Sequence, residues 1–262
     1  MKLTMRTMRS ILALALAVLW TTGCTTWTPT PVDPTLWQHK QMRIGVATAK
    51  APRASAAKAG SQGLLDMAVN EAMASDLDTH LASLQPTRVP LMATEINARL
   101  RAIGFPTVRI DEPIDTATLP ERDPKVPGFY DRSIEAIASR QGVDAILILS
   151  VRQWGTVRSY YGFIPLGDPS ASFVATGQLI ARDERLLWDE MAARTGTTGT
   201  GEWDQAPDFP NLTHAIDEAE DDVMTSLGRS FFNTAPQPPK AAAIPVVRGP
   251  GTPAPTEKGE FP

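Results

Sequence analysis

Cys24 is the side chain whose chemistry the sequence limits most sharply, because it is the only cysteine among 262 residues. A lone thiol cannot form an intramolecular disulfide. It directly follows the small residues Thr22 and Gly23, which follow an uncharged apolar run over residues 11–20. Basic residues precede that run at Lys2, Arg6 and Arg9. This order predicts a secretory signal peptide over residues 1–23, since the run is shorter than the roughly 20 residues that a membrane span needs.

The residues up to Cys24 also predict what happens to its thiol. Residues 19–24 read LWTTGC and resemble the bacterial lipobox. That resemblance implies a diacylglyceryl group on the sulfur, cleavage before Cys24, and acylation of the new N-terminus, for example with palmitate. Several acyl chains give stable membrane attachment. Because Cys24 is followed by Thr25 rather than by an aspartate, the resemblance implies a protein held at the outer membrane and facing the periplasm. Two alternatives stay open: ordinary cleavage that leaves Cys24 unmodified, and an uncleaved anchor.

The charge balance narrows the class of partner. Loss of residues 1–23 removes three of the 25 basic residues, so that 22 basic residues face 29 acidic ones and the net charge becomes −7. An acidic chain is not attracted to phosphate backbones. We therefore predict that the protein binds no nucleic acid and contacts a membrane only through its lipid.

Groups suited to metal binding or catalysis are scarce. His39, His80 and His214 are far apart, with no pair at ligand spacing, so we predict no metal site and no cofactor. The chain has no Gly-x-Ser-x-Gly elbow, and the glycine-rich residues 196–201 lack the lysine of a phosphate loop. We predict that the protein is not an enzyme. A periplasmic hydrolase with an unrecognised site stays open as an alternative.

Acidic residues cluster in one predicted helix near the C-terminus. Its inward positions are taken by apolar residues such as Ile216, Ala219 and Val223. We therefore expect the acids to lie on the opposite, solvated face, at positions Asp217, Glu218, Glu220, Asp221 and Asp222.

Aromatic side chains crowd into residues 154–169, which we interpret as a loop between two strands. Exposed aromatic residues beside arginine are typical of protein interfaces. The candidate partner-binding residues are Trp154, Arg158, Tyr160, Tyr161 and Phe163. The alternative is that these rings close one end of the core.

Apolar periodicity predicts one globular domain over residues 37–233, of the α/β (α+β) class. It is a single layered domain with a mixed sheet and helices packed on it, in the order β-α-α-β-α-β-β-β-α. The predicted strands are 42–47, 107–110, 143–151, 171–182 and 186–195, and the predicted helices are 65–81, 90–103, 129–141 and 211–232.

Three stretches outside these elements show no apolar period. Residues 24–36 are rich in Thr and Pro and predict a tether. Residues 49–62 are rich in Ala, Gly, Ser and Lys and predict a non-globular connection. Residues 234–262 are rich in Pro and predict a disordered tail, because few large apolar side chains are available to bury.

Two segments carry a resemblance to a known group of proteins. Residues 142–155 read GVDAILILSVRQWG, and residues 181–188 read ARDERLLW. Together they resemble bacterial envelope lipoproteins with an anticodon-binding-domain-like α/β fold. That group includes the curli secretion lipoprotein CsgG, the penicillin-binding-protein activator LpoB and neisserial-type lipoproteins of unknown function. The resemblance covers about residues 43–232 and does not choose among these functions.

The predicted function is therefore that of a lipid-anchored periplasmic protein acting through protein–protein interaction in the cell envelope, as an accessory of cell-wall synthesis or secretion. A structural subunit of an outer-membrane oligomer, and hence a homo-oligomer, stays open. A channel is disfavoured, because no long pair of alternating strands is evident outside the core.

Overall fold

A computed structural model of the chain describes residues 27–61, 75–162 and 164–236. Its strands are β1 (Ile44–Thr48), β2 (Ser55–Ser61), β3 (Thr107–Arg109), β4 (Ala145–Tyr161), β5 (Ile164–Pro165), β6 (Ser170–Ala181) and β7 (Leu186–Thr197). Its α-helices are α1 (Ser75–Ser83), α2 (Arg88–Ile103), α3 (Glu135–Gln141) and α4 (Pro210–Phe231). The mixed sheet with helices packed on it confirms the predicted fold class. The predicted order is kept, with β2 and β5 added.

Some predicted features lie outside the described residues. They are the signal segment 1–23, Cys24, Phe163 and the tail from residue 237, and the predicted helix over 65–81 is described only from Ser75. No helix within the described ranges is long and apolar enough to cross a bilayer.

Strand β4 is the centre of the sheet. The strand order is β3-β1-β4-β6-β7, with β1 parallel to β4 and β6 antiparallel to it. Residues 145–149 of β4 are fully buried, because they are covered on both faces of the sheet. Beyond the end of β1, β2 pairs in parallel with β4, and β5 pairs with its last residues.

Helices α2 and α4 cover one face of the sheet along its length. The predicted apolar stripe of α4 is confirmed, since all its members are buried: Leu212, Ile216, Ala219, Val223, Leu227 and Phe231. Trp188 of β7 packs against Phe231 and lies over Gly177, where any Cβ would collide with the indole ring. Helix α2 ends at Gly104, whose φ of 104° gives the left-handed turn that the sequence predicts there.

The opposite face of the sheet is covered only at one end. Helix α3 and the long loop before it bury a second, smaller apolar cluster, which includes Ala47, Ile146, Ile148 and Ile180. From Ser150 onward no α-helix lies on this side within the described residues, and only a short 3-10 helix, Thr116–Thr118, and the adjoining loop approach it. We call this uncovered side the open face.

Three of the sequence predictions about secondary structure are wrong. Residues 55–61, predicted to be non-globular, form β2, because main-chain pairing with β4 needs no apolar pattern. Strand β4 continues ten residues beyond its predicted end at Val151, through part of the predicted loop 154–169. Helix α3 begins at Glu135 rather than at residue 129, and the residues before it form a loop over the open face.

The described part of the predicted tether, residues 27–36, lies against the domain. Thr30 forms a two-bond bridge with Asp189 on the outer edge of β7. Val32, Leu36 and Trp37 are buried, and the Trp37 ring contacts aromatic rings of the core. These apolar side chains explain why the segment packs although it is rich in proline and threonine.

Glu220 departs from the predicted solvated face of α4 and is almost fully buried. Its Oε1 accepts hydrogen bonds from the backbone N–H groups of Arg88 and Val89, at 2.8 and 3.0 Å. These donors have no partner within their own helix, because they begin α2. Glu220 therefore acts as an N-terminal cap supplied from α4, and it joins the two helices that cover the sheet.

We expect Glu220→Ala to lower the free energy of unfolding by about 1–3 kcal/mol, because the amides of Arg88 and Val89 would remain buried without a partner. Glu220→Gln keeps an acceptor oxygen, so its free energy of unfolding should fall less than that of Glu220→Ala. The matched control is Glu218→Ala, whose side chain is 54% exposed. Urea unfolding of the three variants measures the difference, and equal losses for Glu218→Ala and Glu220→Ala would contradict the capping role.

Candidate functional site

A cleft of about 690 Å³ lies on the open face, between the sheet and the loop that precedes α3. This volume falls in the range of about 300–1,000 Å³ that is usual for small-molecule sites. Strands β4, β6 and β7 form its floor, and the loop with Phe129 and Tyr130 forms its roof. The cleft exists because the cover of this face ends while the strands continue.

The floor of the cleft is polar. Thr176 and Gln178 stand two residues apart on β6, so they point to the same side of the sheet. Asp189 of β7 is the direct cross-strand partner of Gln178. Arg152 is the extra residue of a β-bulge, since β4 shifts register against β6 between Val151 and Gln153. Bulges re-aim side chains, and this one brings Arg152 into the lining of the cleft.

Asp189 is the buried acid of the cleft lining. It is 7% exposed, its Oδ2 accepts a hydrogen bond from Trp27 Nε1 at 3.2 Å, and its Oδ1 has no hydrogen-bond partner among the described residues. Burial raises the pKa of this carboxyl, and the hydrogen bond from Trp27, the proximity of Gln178 and the positive charge of Arg152 oppose part of the rise. Trp27 therefore covers a carboxyl group that burial favours in its protonated form.

The roof of the cleft holds charges that are already paired. Lys125 Nζ lies 3.7 Å from Asp131 Oδ2, and Arg132 Nη2 lies 3.3 Å from Glu121 Oε1. Tyr130 is half-buried between them, and burial raises the pKa of its hydroxyl group. At neutral pH this hydroxyl is therefore a hydrogen-bond donor as well as an acceptor.

The described lining of the cleft contains hydroxyl, amide, carboxyl and guanidinium groups. No histidine lines the described part of the cleft, so its hydroxyl groups have no imidazole to activate them. No group of three His, Cys, Asp or Glu side chains in the described ranges is placed to hold a metal ion. The predicted absence of enzyme activity is not tested by these observations and stays a prediction.

The predicted aromatic surface separates into two sides of β4. Trp154 is 3% exposed, its Nε1 donates to the carbonyl oxygen of Pro52 at 2.8 Å, and it belongs to the core rather than to an exposed surface. Arg158 and Tyr160 follow on the same side of the strand by alternation. The Arg158 guanidinium lies 5.1 Å from the ring centre of Trp203, and its Nε donates to the carbonyl oxygen of Gly167.

Tyr161 lies on the other side of the strand and is 73% exposed. Its cross-strand partner Ile164 is 52% exposed, and Leu166, two residues further on, is 64% exposed. The three side chains share the open face by alternation. We use the name arm for a surface with three parts. They are residues 157–161 at the end of β4, the residues of β2 that pair with them, and residues 164–166. Ile164 and Leu166 were not predicted, because a strand pairing of two residues leaves no hydropathy pattern.

The cleft residues were also missed, although a weak signal for them exists. Polar residues recur at alternate positions near Arg152 in β4, at Thr176 and Gln178 in β6, and at Asp189 in β7. A sequence pattern can place these residues on one face of each strand. It cannot place them beside one another, because that depends on the register between the strands.

Solved structures of other proteins are similar to this chain at low identity. They include a PelC dodecamer from Paraburkholderia phytofirmans, 14% identical, covering 75% of this chain and 96% of that one with a TM-score of 0.27. Lipoprotein GNA1162 from Neisseria meningitidis is 18% identical over 58% of this chain and 81% of its own, with a TM-score of 0.27. The LpoB C-terminal domain from Salmonella enterica is 9% identical over 70% of this chain and 94% of its own, with a TM-score of 0.16.

These neighbours include the neisserial lipoprotein and LpoB, members of the kind of group that the sequence resembles. The TM-scores are too low for the likeness to carry an argument about this chain, and the specific resemblance to CsgG stays a prediction. No family model and no curated protein sequence matches the chain.

We expect Asp189→Asn to change how stability depends on pH. Because the folded state raises the pKa of Asp189, its contribution to stability is fully present below the unfolded pKa of about 3.9 and is lost as the pH rises through the folded value. The Asn variant should therefore gain stability relative to the wild type between about pH 4 and neutrality. Urea unfolding at several pH values measures this difference.

The control for this experiment is Asp183→Asn. Asp183 is exposed, and its hydrogen bond from Arg185 lowers its pKa. Any dependence of stability on pH that Asp183 contributes therefore has the opposite sign to that of Asp189. Parallel stability curves for the wild type and Asp189→Asn would show that the burial of this carboxyl has no effect on its proton affinity.

Proposed function

We propose that this chain is a lipid-anchored protein of the bacterial cell envelope that acts by binding another protein, as an accessory of cell-wall synthesis or secretion, and that it is not an enzyme. The signal-like residues 1–23 and the lone Cys24 support the lipid anchor. The observation that carries the binding function is the exposed apolar surface of the arm, formed by Tyr161, Ile164 and Leu166.

The arm presents these side chains without a charged neighbour on the same side. By register and alternation, Ala57, Ala59, Val157 and Ser159 accompany them on the open face. The nearby cations Lys58 and Arg158 are neighbours in the register of β2 and β4, and alternation places both on the other side of the strands. Large apolar side chains on an uncharged surface suit a partner protein whose own surface is apolar and uncharged.

Attachment through Cys24 gives a first test. We expect the wild-type chain to take up labelled palmitate in cells and to sediment with the outer membrane. Cys24→Ala should lose the label and move to the soluble periplasmic fraction, because no acyl chain remains. Label and membrane sedimentation that persist in Cys24→Ala would contradict the lipid anchor.

Contact through the arm gives a second test. With a photo-crosslinking phenylalanine analogue in place of Tyr161, we expect a covalent adduct in cells with one envelope protein, identified by mass spectrometry. Leu166→Asp should reduce that adduct at least about tenfold, because burying an unpaired charge in the contact is unfavourable. The matched control places the same analogue at Leu91, which is 55% exposed on α2.

The identity of the adduct distinguishes the proposal from its alternatives. An adduct with a second copy of the chain would favour the homo-oligomer. Adducts with lipid alone would show that the arm contacts a membrane and would contradict a protein partner. Equal adducts from Tyr161 and Leu91 would show that the arm is not a specific contact surface.

A further inference from the structure

Arg152 differs from the other cations that line the cleft. Lys125 and Arg132 each lie within 4.0 Å of a carboxylate, whereas the exposed side chain of Arg152 has no hydrogen bond and no ion pair within 4.0 Å among the described residues. The bulge in β4 holds its backbone at the floor, next to a second cavity of about 410 Å³ that Arg152 also lines. The cleft therefore contains one cationic group that makes no hydrogen bond and no close ion pair within the described part of the chain.

Most groups around Arg152 can donate hydrogen bonds to an anion, and the one acid of the floor, Asp189, is a carboxyl that burial favours in its protonated form. Thr176 and Gln178 line the same floor and can donate hydrogen bonds, and the Tyr130 hydroxyl lies in the roof. The acid of the floor, Asp189, accepts a hydrogen bond from Trp27 and has no ion pair within 4.0 Å of Arg152. Burial raises the pKa of this carboxyl, and the positive charge of Arg152 opposes part of that rise. Fork-shaped carboxylate and phosphate groups match the geometry of a guanidinium.

The remaining walls of the cleft are apolar. Phe129 lines the roof, and Leu186 and Met191 line the floor on β7. The Phe129 ring is held in place by the Arg122 guanidinium, 4.1 Å from its centre. A ligand with an anionic group and an uncharged body would fill both parts of the cleft.

We propose that this cleft binds a small molecule through a carboxylate or phosphate group paired with Arg152, with the uncharged body of the ligand against Phe129 and Met191. The same anionic group could belong to a free metabolite or to a lipid headgroup. This site is separate from the arm and does not depend on the protein-binding function.

The test uses the full-length chain purified in detergent, with inorganic phosphate as the probe and chloride at matched ionic strength as the reference. We expect phosphate to raise the unfolding temperature of the wild type in a saturable way, because it binds only the folded state. Arg152→Gln should require at least about tenfold more phosphate for the same shift, since a charge-assisted pair is lost.

Two further variants separate binding from folding. Arg152→Lys keeps the charge and should retain part of the phosphate response, which would show that an effect of Arg152→Gln is not a folding defect. Arg53→Gln removes an exposed arginine outside the cleft and should respond as the wild type does. Equal phosphate responses in the wild type and Arg152→Gln, or an unsaturable response, would overturn the proposal.

Vesicles distinguish the two sources of the anion. Cys24→Ser chain, without its acyl attachment, is sedimented with phosphatidylcholine vesicles that contain or lack phosphatidylglycerol. Binding that needs phosphatidylglycerol and is reduced at least about tenfold by Arg152→Gln would identify a lipid headgroup. A phosphate response without such vesicle binding would identify a free ligand, and the absence of both would overturn the site.

Discussion

The length of β4 relative to its cover is the constraint on which the rest of this structure depends. The strand has 17 residues, whereas β1, which pairs with its first part, has 5. Helices α2 and α4 protect one face of the sheet, but α3 is a helix of 7 residues and covers the other face only at one end. Both the polar cleft and the apolar arm lie on the part of the open face that remains, so both are products of the same mismatch in length.

The fold was predictable wherever burial leaves a pattern in the sequence. The stripe of α4, the apolar run at residues 145–149 and the glycine after α2 all reflect local rules of packing and capping. Strand β2 and the second half of β4 were not predictable in this way. Strand β2 is held by main-chain pairing with β4 about 100 residues later, and the second half of β4 pairs with both β2 and β6. Side chains such as Ala57 and Lys58 carry no trace of that pairing.

The candidate site was less predictable than the fold, because its residues acquire their roles from distant neighbours. Glu220 lies among four other acids of α4, yet it alone of the five is buried, because the N-terminus of α2 supplies donors to its carboxylate. Asp189 precedes Glu190 in the sequence, yet Asp189 accepts a hydrogen bond from Trp27, whereas Glu190 points to the other side of β7 and accepts one from Ser230 of α4. Of the predicted surface residues, Tyr161 is strongly exposed and Trp154 is in the core, a difference set by strand alternation within what the sequence suggests is a loop.

The contact of Trp27 with Asp189 has a consequence for how the molecule would move. Only two residues separate Cys24 from Trp27, and such a segment spans about 10 Å at most. With acyl chains on Cys24, as proposed, the folded body would be held close to the lipid rather than swing at the end of a long linker. Its tumbling would be restricted to a narrow range of tilts against the bilayer, and it would search for other molecules mainly by lateral diffusion in the plane of the membrane.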